Sequence, residues 1–346
     1  MTAALPVISG ALIAAPMAGI SSRVFRDIVR AAGADIAYGE MVSARAMAYG
    51  NKRTWELLDI AGEAAPVVVQ LSGSEPQYIA EAAAAAAHLG ANVIDLNMGC
   101  PAPKVVNNGE GCLLMRKQRL AAELIAAARG AGLPVTVKMR LGWSAAEHNA
   151  EDFARMAEQA GAAAVAVHGR YREQMYGGRA DWRAIAAVKA AVGIPVIGNG
   201  DIGSAAAARA AYEQSGCDAL MIGRAMLGDP WLFGRIRDEL DGRPARGRPA
   251  PEIIIAQAAE HLRRQRESSV YWFRRREGRD DAATLRQAEK YAVHLMRNHL
   301  GWYVKGLRGA AALRARLNQL DTVAEVEEEF RKYMEDRQYE QTNGIS

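Results

Sequence analysis

Residues 195–223, PVIGNGDIGSAAAARAAYEQSGCDALMIG, hold one complete structural period of this chain. The stretch begins as an apolar run, turns through a glycine-rich segment, continues as alanine-rich sequence, stops at Gly216 and restarts as a second apolar run over residues 219–223. Glycine after the last helical turn, followed within a few residues by an apolar run, is the helix stop and strand start of a βα unit. Inside the period, residues 198–203 read GNGDIG and fit the GxGxxG spacing of a dinucleotide-binding turn. Its position separates two folds. A doubly wound dinucleotide domain carries the motif in its first βα turn, whereas here it falls in the seventh unit.

Working outward, the other apolar runs are residues 11–17, 36–41, 66–72, 93–98, 134–140 and 164–169, which with 195–200 and 219–223 make eight expected strands. Helix-like segments lie between them at 22–32, 76–89, 120–131, 150–160, 182–192 and 204–215, several closing on a glycine. Near-continuous apolar character indicates strands buried on both faces, hence a parallel sheet. Eight such units over residues 1–240 match a (β/α)₈ TIM barrel, an α/β fold. Residues 241–250, DGRPARGRPA, read as a linker. Beyond it strand signals cease. Helical spacing over 251–268, 282–299, 307–320 and 322–336 predicts a small C-terminal helical domain spanning 251–346.

Of the 346 residues, 50% are hydrophobic and 24% charged, which excludes a disordered or collagen-like chain. Cys100, Cys112 and Cys217 are too few for a disulfide framework and form no CxxC pair, and the six histidines are dispersed, so no metal site is expected. The apolar run 11–20 is broken by Pro16 and Gly19 and lacks a basic start, so neither a leader nor a membrane span is read there. The expectation is a cytoplasmic monomer without a protein partner. Charge is uneven: residues 1–240 carry 23 basic and 23 acidic side chains, 241–318 carry 17 against 8, and the remainder 3 against 8. A neutral body with a basic segment points to a polyanionic partner held by the C-terminal part; the bland alternative is a solvated basic surface.

Catalytic groups of such a barrel sit where strands end. Those positions here hold Met17 and Ala18 after Pro16, Glu40, Gln70, Asn97 with Cys100, Lys138 with Arg140, His168 with Arg170, Asn199 with Asp201, and Gly223 with Arg224. The loops after strands seven and eight of a barrel form a phosphate site, so Gly198, Gly200, Gly223 and Arg224 are expected to bind one phosphate.

Taken together, AAPMAGISSRVFR, QLSG, DLNMGCPAPKVV, VKMR, VHGR, GNGDI, IGRAMLGDPW and HLGWYVKG resemble the tRNA-dihydrouridine synthases, specifically their bacterial B-type subgroup, over nearly the whole chain. Two places depart from the pattern: Ile20-Ser21-Ser22 stands where Thr-Asp is common, and residues 107–112, NNGEGC, replace a more basic stretch. The resemblance implies FMN on the barrel, NADPH as electron donor, and tRNA as the partner whose D-loop uridine, suspected at position 17, is reduced at C5–C6. Hydride from reduced flavin would go to C6 and a proton from Cys100 to C5. A free thiol, with a reference pKa of ~8.5, is mostly protonated at neutral pH and can donate. Pro16, Met17, Ala18, Gln70 and Lys138 correspond to flavin contacts, as do Asn199, Gly200, Asp201, Gly223 and Arg224 around its phosphate. Asn97, His168 and Arg170 correspond to positions near the uracil and its phosphates, and His168 equally to a flavin-phosphate contact. In the basic segment, YWFRRR (residues 271–276) supplies Arg274, Arg275 and Arg276, and Lys305 and Arg308 follow, as candidate tRNA contacts. Two other functions are weighed: another FMN barrel oxidoreductase acting on a small molecule, which leaves the basic helices without a use, and a non-catalytic RNA-binding protein, in which Cys100 is dispensable.

Overall fold

The computed structural model describes residues 5, 8–244 and 246–342. Eight parallel strands close a barrel in chain order: β1 (Leu12–Ala14), β2 (Ile36–Ser43), β3 (Val68–Ser72), β4 (Val93–Met98), β5 (Val135–Met139), β6 (Ala164–His168), β7 (Val196–Asn199) and β8 (Ala219–Ile222), with β8 pairing back onto β1. This is the expected (β/α)₈ TIM barrel. Strand β1 ends earlier than its apolar run because Pro16 has no N–H to give a neighbour, and the next N–H, of Met17, is taken by the Ser21 hydroxyl at 3.0 Å.

Helices Arg23–Ala31, Pro76–His88, Gln118–Arg129, Ala150–Gln159, Trp182–Ala191 and Ala205–Ser215 alternate with the strands, and Leu232–Leu240 follows the last. Their starts are written in sequence. Ser22, Asp181 and Ser204 accept from the N–H of Phe25, Ala184 and Ala207 at 3.3, 3.0 and 3.1 Å, each such cap contributing ~1 kcal/mol. Ser22 therefore serves as a cap despite the departure from the family pattern. Between β2 and β3 the chain forms two short helices, Ala44–Ala48 and Lys52–Glu56, that the apolar spacing does not announce.

Side chains alternate across a strand, so counting in twos separates inside from outside. Ile13, Ile36, Val68, Val93, Ala164, Ala166, Ile197, Ala219 and Met221 belong to one buried cluster. Continuing with the same parity toward the C-terminal ends reaches Gln70, Asp95, Asn97, His168, Asn199 and Gly223. Register adds β5, since Asp95 stands opposite Thr136 and Asn97 opposite Lys138. One period-two frame thus gives the barrel an apolar floor and a polar rim.

The chain divides into two compact units, residues 1–225 with 232–246, and residues 226–231 with 247–346. The second is helical, with Pro251–Glu277, Ala282–Tyr303, Ala310–Leu317 and Val323–Thr342. Its core joins Ile254, Ala258, Leu262, Val293, Met296, Leu300, Leu313, Val326 and Phe330, with Trp231 packed against them. The first of these helices runs nine residues past its expected end at Ser268, so YWFRRR is helical rather than loop. Gly278, left-handed at φ 66°, stops it, and Asp281 caps the next helix by accepting from Thr284 N–H at 2.8 Å. Among the described residues no helix is long and apolar enough to cross a membrane.

Candidate active site

The polar rim encloses a cavity of about 720 Å³, within the range of small-molecule and cofactor sites. Its wall includes Pro16, Met17 and Ala18 from the turn after β1, Gln70 and Asn97, Cys100, Lys138, His168, Asn199, Gly200, Asp201, Gly223 and Arg224. Thirteen of the residues expected from the sequence are therefore in one place.

The turn after β1 is fixed from behind. Ser21 receives Met17 N–H and gives its own hydroxyl proton to Ala15 O at 3.2 Å, and Glu40 accepts the Gly19 N–H. Burial raises the Glu40 carboxyl above its ordinary value, partly offset by that N–H and by Arg26. On the opposite wall the Cys100 loop hangs from Asn97, whose Oδ1 accepts Cys100 N–H at 2.9 Å and Gly99 N–H at 3.3 Å. Gly111 lets the chain return beneath it: at φ +62° an added Cβ would lie 2.5 Å from Cys100 O, and the next N–H, of Cys112, bonds that same carbonyl at 3.1 Å. Cys112 is fully buried and burial pushes its thiol up to about 11, which leaves it inert beside a partly exposed Cys100.

Lys138 donates to Asn199 Oδ1 at 3.2 Å, and the Asn199 amide donates to Met221 O at 2.7 Å. Burial, then the neighbouring Arg140, lower the lysine to about 8. The His168 imidazole is held neutral by burial and by the cations Lys138, Arg140, Arg170 and Arg224. Arg170 Nη1 meets His168 Nε2 at 3.3 Å; guanidinium only donates, so Nε2 is the acceptor and the ring proton resides on Nδ1.

Arg170 itself does not reach the cavity wall. Its buried guanidinium donates to the carbonyls of Gly177 and Gly178 and to both Asp201 oxygens, all at 2.8 Å. It holds the loop after β6 against Asp201, which also accepts Ala180 N–H at 2.8 Å and Arg224 at 3.3 Å. Gly198 is likewise outside the cavity. An added Cβ there would stand 2.5 Å from the Trp182 ring and 2.9 Å from Cys217 Sγ, so packing against the neighbouring helix already requires a glycine here.

Arg140, expected at a strand end with Lys138, is joined at the rim by two residues that the sequence does not mark, Asp95 and Tyr176. Arg140 lines the cavity and donates to Gly99 O at 2.9 Å and Tyr171 O at 2.8 Å; its signal was the period-two step from Lys138. Asp95 lies beneath Gln70 in an apolar run. Tyr176, exposed, has Arg140 and Arg224 guanidinium carbons 5.8 and 5.5 Å from its ring centroid, and nothing in its loop sequence marks it.

In the helical unit, Arg274 and Arg275 flank a surface groove with Tyr271 and Arg266. Phe273 is buried and Tyr271 exposed, so helical phase divides the aromatic-basic cluster between core and surface. Arg276 covers the Phe273 ring at 4.2 Å and pairs with Glu277. Lys305 and Arg308 are exposed. Among the described residues no three His, Cys, Asp or Glu side chains converge as a metal site would need.

Residues 12–338 match the family described as Dihydrouridine synthase (Dus). The tRNA-dihydrouridine synthase B of Pseudomonas aeruginosa is 41% identical over 317 residues, 91% of this chain and 90% of that protein. The enzyme of that name from Xanthomonas axonopodis is 39% identical over 90% of this chain and 89% of its own, and a probable tRNA-dihydrouridine synthase of Rickettsia bellii 39% over 91% of each. Among solved structures, the 6-hydroxypseudooxynicotine amine oxidase of Pseudomonas geniculata superimposes with a TM-score of 0.52 at 14% identity, covering 69% of this chain and 49% of that one. Histamine dehydrogenase of a Rhizobium species gives 0.50 at 14%, covering 70% and 51%. These two likenesses concern the fold, over about half of the longer chains.

Proposed function

This chain belongs to the dihydrouridine synthase family, and from that premise we propose that it reduces the C5–C6 bond of a D-loop uridine in tRNA, at position 17, with NADPH as electron donor. The resident cofactor in this reading is FMN. Three observations support the fit: the cavity volume of about 720 Å³, the half-buried Lys138 on its wall, and an open glycine rim. A Cβ added at Gly203 would meet nothing within 4 Å, and at Gly223 only Ala15 Cβ at 3.8 Å, so backbone there is accessible to a phosphate. Gly200, Gly223 and Arg224 would hold the phosphate; Pro16, Met17, Ala18, Gln70 and Lys138 would hold the ring; Asn199 and Asp201 would orient Lys138 and Arg224. When bound, the flavin supplies the hydride that C6 of the uracil accepts.

The chain's own chemistry is proton placement and charge. Hydride at C6 leaves an electron pair at C5, which takes the Cys100 S–H proton and leaves a thiolate. Lys138 and Arg140 both interact electrostatically with Cys100, so the thiolate forms beside positive charge, the arrangement that lowers such a barrier. Asn97 both holds Cys100 and faces the cavity. His168, neutral with its proton on Nδ1, can donate to a carbonyl or phosphate without adding charge. Arg170 acts one step back, by fixing His168 and Asp201. The helical unit supplies the grip: Arg274, Arg275 and Arg276, Lys305 and Arg308 would neutralise phosphates while the target base is drawn from its stack, at a cost of a few kcal/mol.

The observation that carries this reading is the partly exposed Cys100 thiol suspended from Asn97 beside Lys138 and Arg140. Mass mapping of dihydrouridine in tRNA from cells with and without the gene tests it. Loss of one dihydrouridine, restored by the intact gene and not by Cys100→Ala, is expected. Unchanged tRNA would refute the assignment and favour a small-molecule substrate, while restoration by Cys100→Ala would refute the thiol as acid.

A further inference from the structure

Beneath the cavity, three side chains form a directed line of hydrogen bonds. Asp95, fully buried, accepts Gln70 Nε2–H on Oδ2 at 2.7 Å and the Thr136 hydroxyl on Oδ1 at 2.6 Å. Gln70 Oε1 accepts Asn97 Nδ2–H at 2.9 Å. Asn97 Oδ1 accepts Cys100 N–H at 2.9 Å. Each amide in the line has one donor end and one acceptor end, and a carboxylate oxygen facing an amide takes only its donor. Asp95 therefore decides which way Gln70 points, Gln70 decides Asn97, and Asn97 decides whether Cys100 N–H meets an acceptor or another donor.

We propose that Asp95 is a positioning residue that sets, through the polarity of the Gln70 and Asn97 amides, the placement of the Cys100 thiol over the cavity. It never touches the substrate. Burial pushes its carboxyl up to about 7, yet the line survives protonation, because a proton on the Thr136-facing oxygen leaves the other free to accept from Gln70. Gln70 and Thr136 hold the two oxygens separately, so the carboxyl has a partner on each side. The inference rests on the reading of Cys100 as the proton donor, but its geometry concerns only where that cysteine is held.

The direction of the line makes it testable by reversal. Asn97→Asp puts acceptors at both ends of Gln70, and whichever way the amide turns its oxygen faces a carboxylate. Adding Asp95→Asn restores every bond in the opposite sense. The amide now at position 95 donates to Gln70 Oε1, Gln70 Nε2–H donates to one oxygen of the carboxylate now at position 97, and the other oxygen of that carboxylate accepts Cys100 N–H, as the Asn97 amide oxygen does in the wild type. The measurement is iodoacetamide alkylation of Cys100 in the full-length flavoprotein, followed by peptide mass, taking the limiting rate at high pH so that thiol ionisation does not enter. In Asn97→Asp an oxygen still faces Cys100 N–H, but the bond to Gln70 Oε1 is lost and the two oxygens repel, so residue 97 leaves its seat. Cys100 should then alkylate about fivefold faster or more, the factor that loss of that one neutral hydrogen bond implies, and the double variant should return to within about twofold of wild type. If Asn97→Asp alone is insoluble, return of soluble protein on adding Asp95→Asn is the expected result. A double variant as far from wild type as the single, or further, means that the two sites merely add structural damage and overturns the proposal. Alkylation needs no tRNA turnover, so an active Cys100→Ala enzyme would remove the proton-donor reading and leave the relay standing.

Discussion

Replacing Gly111 by alanine should separate backbone strain from displacement of the Cys100 loop. The residue sits at φ +62°, and an added Cβ would be 2.5 Å from Cys100 O, 2.9 Å from Val105 Cγ1 and 3.2 Å from Cys100 Cβ. Left-handed backbone costs an alanine ~1 kcal/mol. Gly132, at φ +76° with nothing within 4 Å of its added Cβ, carries that cost alone. The contact at Gly111 adds overpacking of ~2 kcal/mol, because the Cys100 carbonyl must retreat by roughly half an ångström to reach the closest spacing seen for a real Cβ. Gly132→Ala should therefore melt a few degrees below wild type, and Gly111→Ala about 5 °C lower again. Since a 1 Å misplacement costs ~100-fold in rate, half that displacement predicts about a tenfold loss of dihydrouridine formation in Gly111→Ala. Reduction of the bound flavin by NADPH in stopped flow should be unchanged in both variants, because neither glycine lines the cavity and the displaced Cys100 donates its proton only in the uridine half-reaction. A Gly111→Ala protein that melts with Gly132→Ala and modifies tRNA at the wild-type rate would refute the claim that this return of the chain sets the Cys100 loop.

Other outcomes follow from the same geometry. Cys100→Ala should accept electrons from NADPH yet form no dihydrouridine, whereas Cys112→Ala should keep full activity and lose only ~1 kcal/mol of stability, read by denaturant melts. Lys138, lowered to about 8 by burial and Arg140, is cationic below that pH and neutral above it, so uridine reduction should fall as pH rises through 8 and Lys138→Met should lack that limb. In the same window the unfolded chain still holds the lysine proton that the folded chain has released, so this group makes stability rise between about pH 8 and 10, as pH-dependent melts can check. Gly200→Leu should be isolated colourless, because at φ +137° its Cβ would stand 2.5 Å from Ala180 Cβ and the phosphate turn must open. Arg274→Gln with Arg275→Gln should weaken tRNA binding and lower the slope of log affinity against log salt by about two, measured by filter binding or fluorescence.

The barrel was legible because each strand is buried on both faces and so reads as an unbroken apolar run, closed by glycine or a capping Ser or Asp. The rim was legible too, since polar residues at strand ends stand out against those runs. Asp95 did not stand out: within VIDLNM it looks like an interruption, and only pairing with β5 shows that it shares a side with Thr136. Gly198 misled in the opposite direction, because a motif letter carries no information about the Trp182 ring pressed on its far face. Tyr176 and Arg170 depend on a loop whose form is set by contacts to Asp201 and Arg224, many residues away. Apolar spacing carries the first helix of the second unit only to Ser268; Ser269 is in fact buried, and a buried seat outweighs the small propensity difference.

The short segment 226–231 groups with the helical unit, although residues 232–246 return to the barrel before the chain leaves it again. Trp231, packed against the helical core, is thus encoded ahead of the linker and used behind it. A splice at the linker that exchanged the helical part between relatives would join a foreign bundle to the resident tryptophan, and the mismatch would appear as an ill-packed core whatever the quality of either half. Transferring the helical unit from one member of the family to another therefore requires two grafts, the six-residue segment and the helices together, and a bundle expressed from residue 247 onward should gain stability when that hexapeptide is supplied to it in trans.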